Sequence, residues 1–272
     1  MMFNPKKAIT VLALAGLAFA STAANAATTY TAGDLLVGFR QTGAGASTNS
    51  LVIDIGQASL YLNAAGNLNP ILGNAGLDAD LAAEFGANWY TDGSVKWGII
   101  GAIGASAVGS QPADTLFASM KETSGVNADG YGRYDSGTQA TPSNGVQNLG
   151  ATYAGKTITG NVALVQANAT ANTWGNKVGT GFGGGSIFGS TLEGVLSSTS
   201  KLDLSRSTPD DLQFADGTLK GTIAGTFSLS STGGLTFTPN VAAAPEPGRA
   251  AFMALGLGAF VLRRRRSARV AA

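Results

Sequence analysis

The chain has 272 residues, 12% charged and 44% hydrophobic, with 39 glycines and neither cysteine nor histidine. The missing histidine removes Ser-His-Asp and Cys-His catalysis and histidine-ligated metal sites, and the missing cysteine leaves the core without disulfides. The formal +1 hides a division: two lysines and six arginines lie at the ends, so residues 27–240 hold nine basic and fifteen acidic residues, a net −6.

An acidic body lacks the positive footprint that nucleic acid requires, so no nucleic-acid partner is expected. No cofactor and no metal centre is expected either. The chemistry that remains open is a carboxylate pair or calcium held through oxygens.

Residues 1–26 read as a secretory signal peptide. Lys6 and Lys7 supply its positive start, Ala8–Ala20 its apolar run, and Ala24-Asn25-Ala26 a small-x-small cleavage site. Such a segment engages the Sec translocon and signal peptidase, and cutting after Ala26 would leave Ala27 as the mature N-terminus. An uncut signal anchor is the alternative.

From Thr28 the pattern is strands and turns. Asp34–Arg40 and Leu51–Ile55 read as strands, the second mostly apolar and so buried. Ser59–Asn63 is a short third candidate. Asp78–Phe85 is the clearest helix, with Asp78 as its cap and Gly86 as its stop. Val95–Ile103 and Asp114–Ser119 again read as strands. Residues 121–155, rich in Gly, Asn, Asp, Ser and Thr, read as a long surface excursion.

Thr157–Gln166 fits either a strand or a helix start, and Ser186–Leu196 fits a helix weakly because two glycines interrupt it. Lys201–Ser205 alternates as a strand. Thr218–Ser230 and Gly234–Thr238 alternate with period two around Ser231-Thr232-Gly233, the pattern of a closing hairpin. No internal repeat is present. The expected fold is mainly β: a single β-sandwich or jelly-roll-like domain over 27–240 with one or two short helices.

Four features invite a functional reading, each with a plainer one beside it. Asn127, Asp129 and Asp135 space oxygen ligands like part of a calcium loop but lack its closing glutamate, so a polar turn is preferred. Asp210, Asp211 and Asp216 suit turns around Pro209 and Gly217. Trp89, Tyr90, Trp97 and Trp174 would stack on a sugar if exposed, although aromatics beside strands more often fill a core. Gly181–Gly185 lacks the lysine of a phosphate loop. No catalytic residue is selected, and no enzyme activity is expected.

The last thirty or so residues carry a more specific pattern. Pro245-Glu246-Pro247 is stiff and extended, because proline fixes φ at two positions and biases the residue before it. Ala250–Leu262 follows without a charge, 13 residues long, or roughly 20 Å as a helix. With Gly248 and Arg249 it forms a short transmembrane candidate over 249–262, against a bilayer core of about 30 Å. Arg263, Arg264, Arg265 and Arg266, with Arg269, then act as a positive-inside stop. A basic tail lying on a membrane surface is the alternative.

Pro-Glu-Pro, apolar segment and arginine cluster in this order resemble the PEP-CTERM sorting tail. The stretches GDLLVGFR, SLVIDIG and VKWGIIGAIG also look like bodies found with such tails. The resemblance implies an exosortase partner that recognises Pro245–Pro247 and removes residues 241–272 or most of them. It implies transient anchoring in the membrane by the C-terminal helix, then release to the cell surface or extracellular matrix. A structural or adhesive role among exopolysaccharides follows from it. A carbohydrate-binding module is the alternative, with polysaccharide as partner, and a carboxylate-dependent glycosidase comes after that.

Overall fold

The computed structural model describes residues 27–240 apart from 72–73, 123–124, 159, 184, 189, 198–200 and 212–215. The signal segment and the tail, including the proposed membrane helix, lie outside the described residues. Among the described residues no helix is long and apolar enough to cross a membrane.

The expected β character is observed. Nine strands form one antiparallel sheet: β1 (Asp34–Gln41), β2 (Asn49–Gln57), β3 (Val95–Ala102), β4 (Leu116–Lys121), β6 (Leu164–Ala167), β7 (Glu193–Val195), β8 (Lys201–Ser207), β10 (Thr222–Leu229) and β11 (Leu235–Pro239). Their order is β11-β10-β8-β4-β3-β1-β2-β6, with β7 paired to the first half of β3. Strands β5 (Gly132–Tyr134) and β9 (Asp216–Lys220) pair separately.

Alternation along the strands sends side chains to two cores. One face buries Leu35, Val37 and Phe39 of β1 with Ile53, Trp97 and Phe227. The opposite face buries Leu36, Val52, Ile100 and Trp174. Because both faces are apolar, the strands read as nearly continuous hydrophobic runs. Helices cover both sides: α1 (Ala58–Leu62) and α2 (Asn74–Phe85) on the first, α3 (Ser136–Tyr153), α4 (Trp174–Val178) and α5 (Gly185–Phe188) on the second.

The sheet curls around α1. In a flat sheet β2 and β10 would lie five strand spacings apart, about 24 Å. Tyr61 of α1 nonetheless donates to the Ile55 carbonyl of β2 at 2.6 Å and packs its ring against Phe227 of β10 and Phe237 of β11. Leu68, just beyond α1, also bridges to Phe237. The two-sheet sandwich expected from the sequence is thus replaced by one continuous sheet, bent so that distant strands share a core.

Helices are also more numerous than the expected one or two. The largest departure is α3, 18 residues long, inside the stretch read as a surface excursion. Asp135 caps it by accepting from the Thr138 amide at 2.7 Å. Val146, Leu149 and Tyr153 lie on one side and are buried against the sheet. Gly145 and Gly150 lower its intrinsic propensity, but each admits a neighbour that a methyl would strike: the Phe182 carbonyl at 2.2 Å and the Tyr30 ring at 2.2 Å. Tertiary packing overrides local preference here.

Elsewhere the differences are smaller. Helix α2 starts at Asn74, four residues before Asp78, which accepts from the Trp89 indole instead. The stretch expected as a weak helix over Ser186–Leu196 divides into α5 and β7. The hairpin of β10 and β11 is observed, while β9 leaves it at Gly221 to pair with β5.

Candidate functional site

A bulge between Asp34 and Leu36 sets the register where β1 meets β2, with Asp34 opposite Gln57 and Leu36 opposite Asp54. It sets two carboxyl groups, Asp34 and Asp54, on the same stretch of the β1–β2 ladder. They line an open cavity of about 520 Å³ together with Thr28, Thr31, Gln57 and Tyr153. Asp34 accepts from the Thr31 amide at 2.6 Å and from the Gln57 side-chain amide. Asp54 accepts from the Gly56 amide at 2.7 Å, and the Tyr153 hydroxyl accepts from the Asp54 amide at 3.3 Å.

Burial pushes the Asp54 carboxyl up to about 6, against the lowering effect of the Gly56 amide, and the neighbouring Asp34 raises it further. Burial and the two carboxyl groups likewise push the Tyr30 hydroxyl well above the ordinary tyrosine value. Glycosidases of either stereochemistry hold their two acids about 5–10 Å apart, leaving room for a sugar bond between them. Asp34 and Asp54 instead spend oxygens on the Thr31, Gln57 and Gly56 amides of their own chain.

The sign of the pH effect follows. Folded Asp54 keeps a proton that the unfolded chain releases near pH 4, so its contribution is fully present below that pH. It is lost as pH rises through about 6. After discounting for solvent screening at a partly exposed group, the effect is about 1–2 kcal/mol. Asp54→Asn should therefore be more stable than the parent chain at pH 8 by about this amount, with the gap closing at pH 4. Urea midpoints at the two pH values check it, and a parent chain more stable than the variant at pH 8 would refute it.

The residues singled out from the sequence do not converge. Asn127 donates its backbone and side-chain amides to the fully buried Asp203, at 2.6 and 2.9 Å. Asp129 is exposed, and Asp135 caps α3. Asp211 accepts from the Ser136 amide at the start of α3, 75 residues away in sequence, and Asp216 accepts from the Thr218 amide in a local turn. Among the described residues no group of three or more acidic side chains is placed to hold a metal ion.

Trp89, Trp97 and Trp174 are buried to 2% exposure or less, which leaves none of them on the surface to stack on a sugar. Tyr90 packs edge-on against Trp89 and donates to the Leu229 carbonyl. Gly181–Gly183 forms a single 3-10 turn beside α3. Ala24, Ala26, Pro245, Glu246, Pro247 and Arg263–Arg266 lie outside the described residues.

The Asp34–Asp54 pair was missed from the sequence. Its one signal is Asp54 inside the otherwise apolar run LVIDIG. Comparison with protein-family models, with curated proteins and with solved structures finds no match for this chain.

Proposed function

We propose that this chain is an exported, non-enzymatic surface or matrix protein, delivered by its signal peptide and sorted through its Pro-Glu-Pro tail. The membrane segment is 249–262, the stop is Arg263–Arg266, and exosortase is the processing partner. The carrying observation is the agreement between the two ends of the sequence, a signal-like segment over 1–26 and the Pro-Glu-Pro, apolar, arginine order of the tail. Among the described residues, Ala27 bridges to Thr157, β11 runs to Pro239, and the Asn240 amide donates to the Ala224 carbonyl. Cleavage after Ala26 and near Pro245 would cut no described strand pairing.

The absence of histidine and cysteine supports the non-enzymatic part. Buried tryptophans weigh against a carbohydrate-binding module built on aromatic stacking.

Intact mass and fractionation of protein from its own host test this reading. The expected species starts at Ala27, ends near Pro245 and leaves the membrane fraction. Deleting Pro245–Pro247 should retain the whole tail and hold the protein in the membrane. Unchanged processing of that deletion would overturn the sorting assignment.

A further inference from the structure

A second cavity, of about 290 Å³, lies between β1, β3 and β7 and the end of α4, lined by Arg40, Lys96, Ser190 and Glu193 with Val178 and Leu192. That volume sits at the small end of the usual range for ligand pockets, roughly 300–1,000 Å³. Arg40 and Lys96 are directly opposite one another on β1 and β3. Like charges so placed repel. Glu193 answers one of them: its carboxylate, 7% exposed, takes Arg40 Nε at 3.0 Å and Nη2 at 2.7 Å. The Trp174 indole donates to the same carboxylate at 3.1 Å, fixing it from behind.

The second cation is unanswered. Among the described residues the Lys96 ammonium has no carboxylate within ion-pair distance, the Glu193 carboxylate being taken by Arg40. Arg40 retains its Nη1 edge, because Nε and one Nη2 proton are spent on Glu193. The cavity therefore holds one surplus positive charge and an excess of N–H donors in a body that is otherwise acidic. We propose that it binds a small organic monocarboxylate, whose charge Lys96 and the free edge of Arg40 neutralise. A dianion such as phosphate would overcompensate the surplus and meet the Glu193 carboxylate. A neutral molecule would leave Lys96 unpaired.

This proposal is independent of the sorting reading, and its test needs no processing. The full chain is titrated calorimetrically with D-glucuronate, D-glucose and inorganic phosphate. Glucuronate should saturate one site, with glucose and phosphate weaker by about tenfold or more. Lys96→Met keeps the aliphatic stem and leaves the Arg40–Glu193 pair untouched, so the variant folds. Its glucuronate affinity should fall by about tenfold or more, the loss of one charge-assisted contact. Absence of glucuronate saturation by about 10 mM, equal binding of glucose, tighter binding of phosphate, or unchanged affinity in Lys96→Met would each overturn the assignment.

Discussion

Gly38→Ala should destabilise the chain by about 3–5 kcal/mol, although it adds one methyl to a strand. Gly38 of β1 and Gly98 of β3 lie opposite one another, and the indole of Trp174 lies across them. A Cβ at Gly38 would stand 1.8 Å from Trp174 Cδ2 and 2.2 Å from Cε2 and Cε3. No rotamer adjustment relieves that overlap, so the ring must leave. It is fully buried, it packs on Phe182, and it holds Glu193 in place for Arg40. The substitution thus carries the cost of displacing a core tryptophan as well as that of the methyl.

A double-mutant cycle separates the two parts. In a Trp174→Ala background the Gly38 methyl meets open space and should cost less than about 1 kcal/mol. Urea unfolding followed by far-UV circular dichroism reads all four chains. A Gly38→Ala penalty that persists without Trp174 would show that strand preference, not the ring, sets it.

The glycine bed shows why some of the fold was legible and some was not. Strands β1, β2, β3, β4 and β8 and the β10–β11 hairpin follow from apolar runs and alternation, which are local properties of the chain. Gly38 and Gly98 look like weak points of those strands when read alone. Their purpose depends on Trp174, some 136 residues beyond Gly38 in the sequence. Helix α3 failed to show for the same reason, since Gly145 and Gly150 depress its propensity while making room for Phe182 and Tyr30.

The carboxyl pair needed the β1–β2 register and its bulge, neither of which composition reveals. Lys96 and Arg40 likewise become neighbours only through pairing of β1 with β3. The sorting tail is the opposite case. Its order of proline, apolar run and arginine is wholly local, so it reads directly from the sequence.

Asp80→Ala should cost about 3–4 kcal/mol, because one buried carboxylate satisfies a whole loop. Asp80 of α2 is 7% exposed. Its Oδ1 accepts from the Asn161 amide at 2.8 Å and from the Asn161 side chain at 3.0 Å. Its Oδ2 accepts from the Val162 and Ala163 amides at 2.8 and 2.9 Å. These residues lead directly into β6, the strand that ends the sheet beside β2. Alanine would leave three backbone donors without an acceptor, and water reaching them would recover only part of the loss.

Asp80→Asn should cost about half as much, since one oxygen remains to accept and the new amide faces donors. Thermal or urea unfolding gives the ranking parent, Asn, Ala. Hydrogen exchange adds a local reading: the Val162 and Ala163 amides should lose protection in Asp80→Ala while the β10–β11 hairpin keeps its own. Equal stability of the Ala variant and the parent would mean that solvent already satisfies this loop. The carboxylate would then be a passenger on α2, and β6 would be held by its ladder with β2 alone.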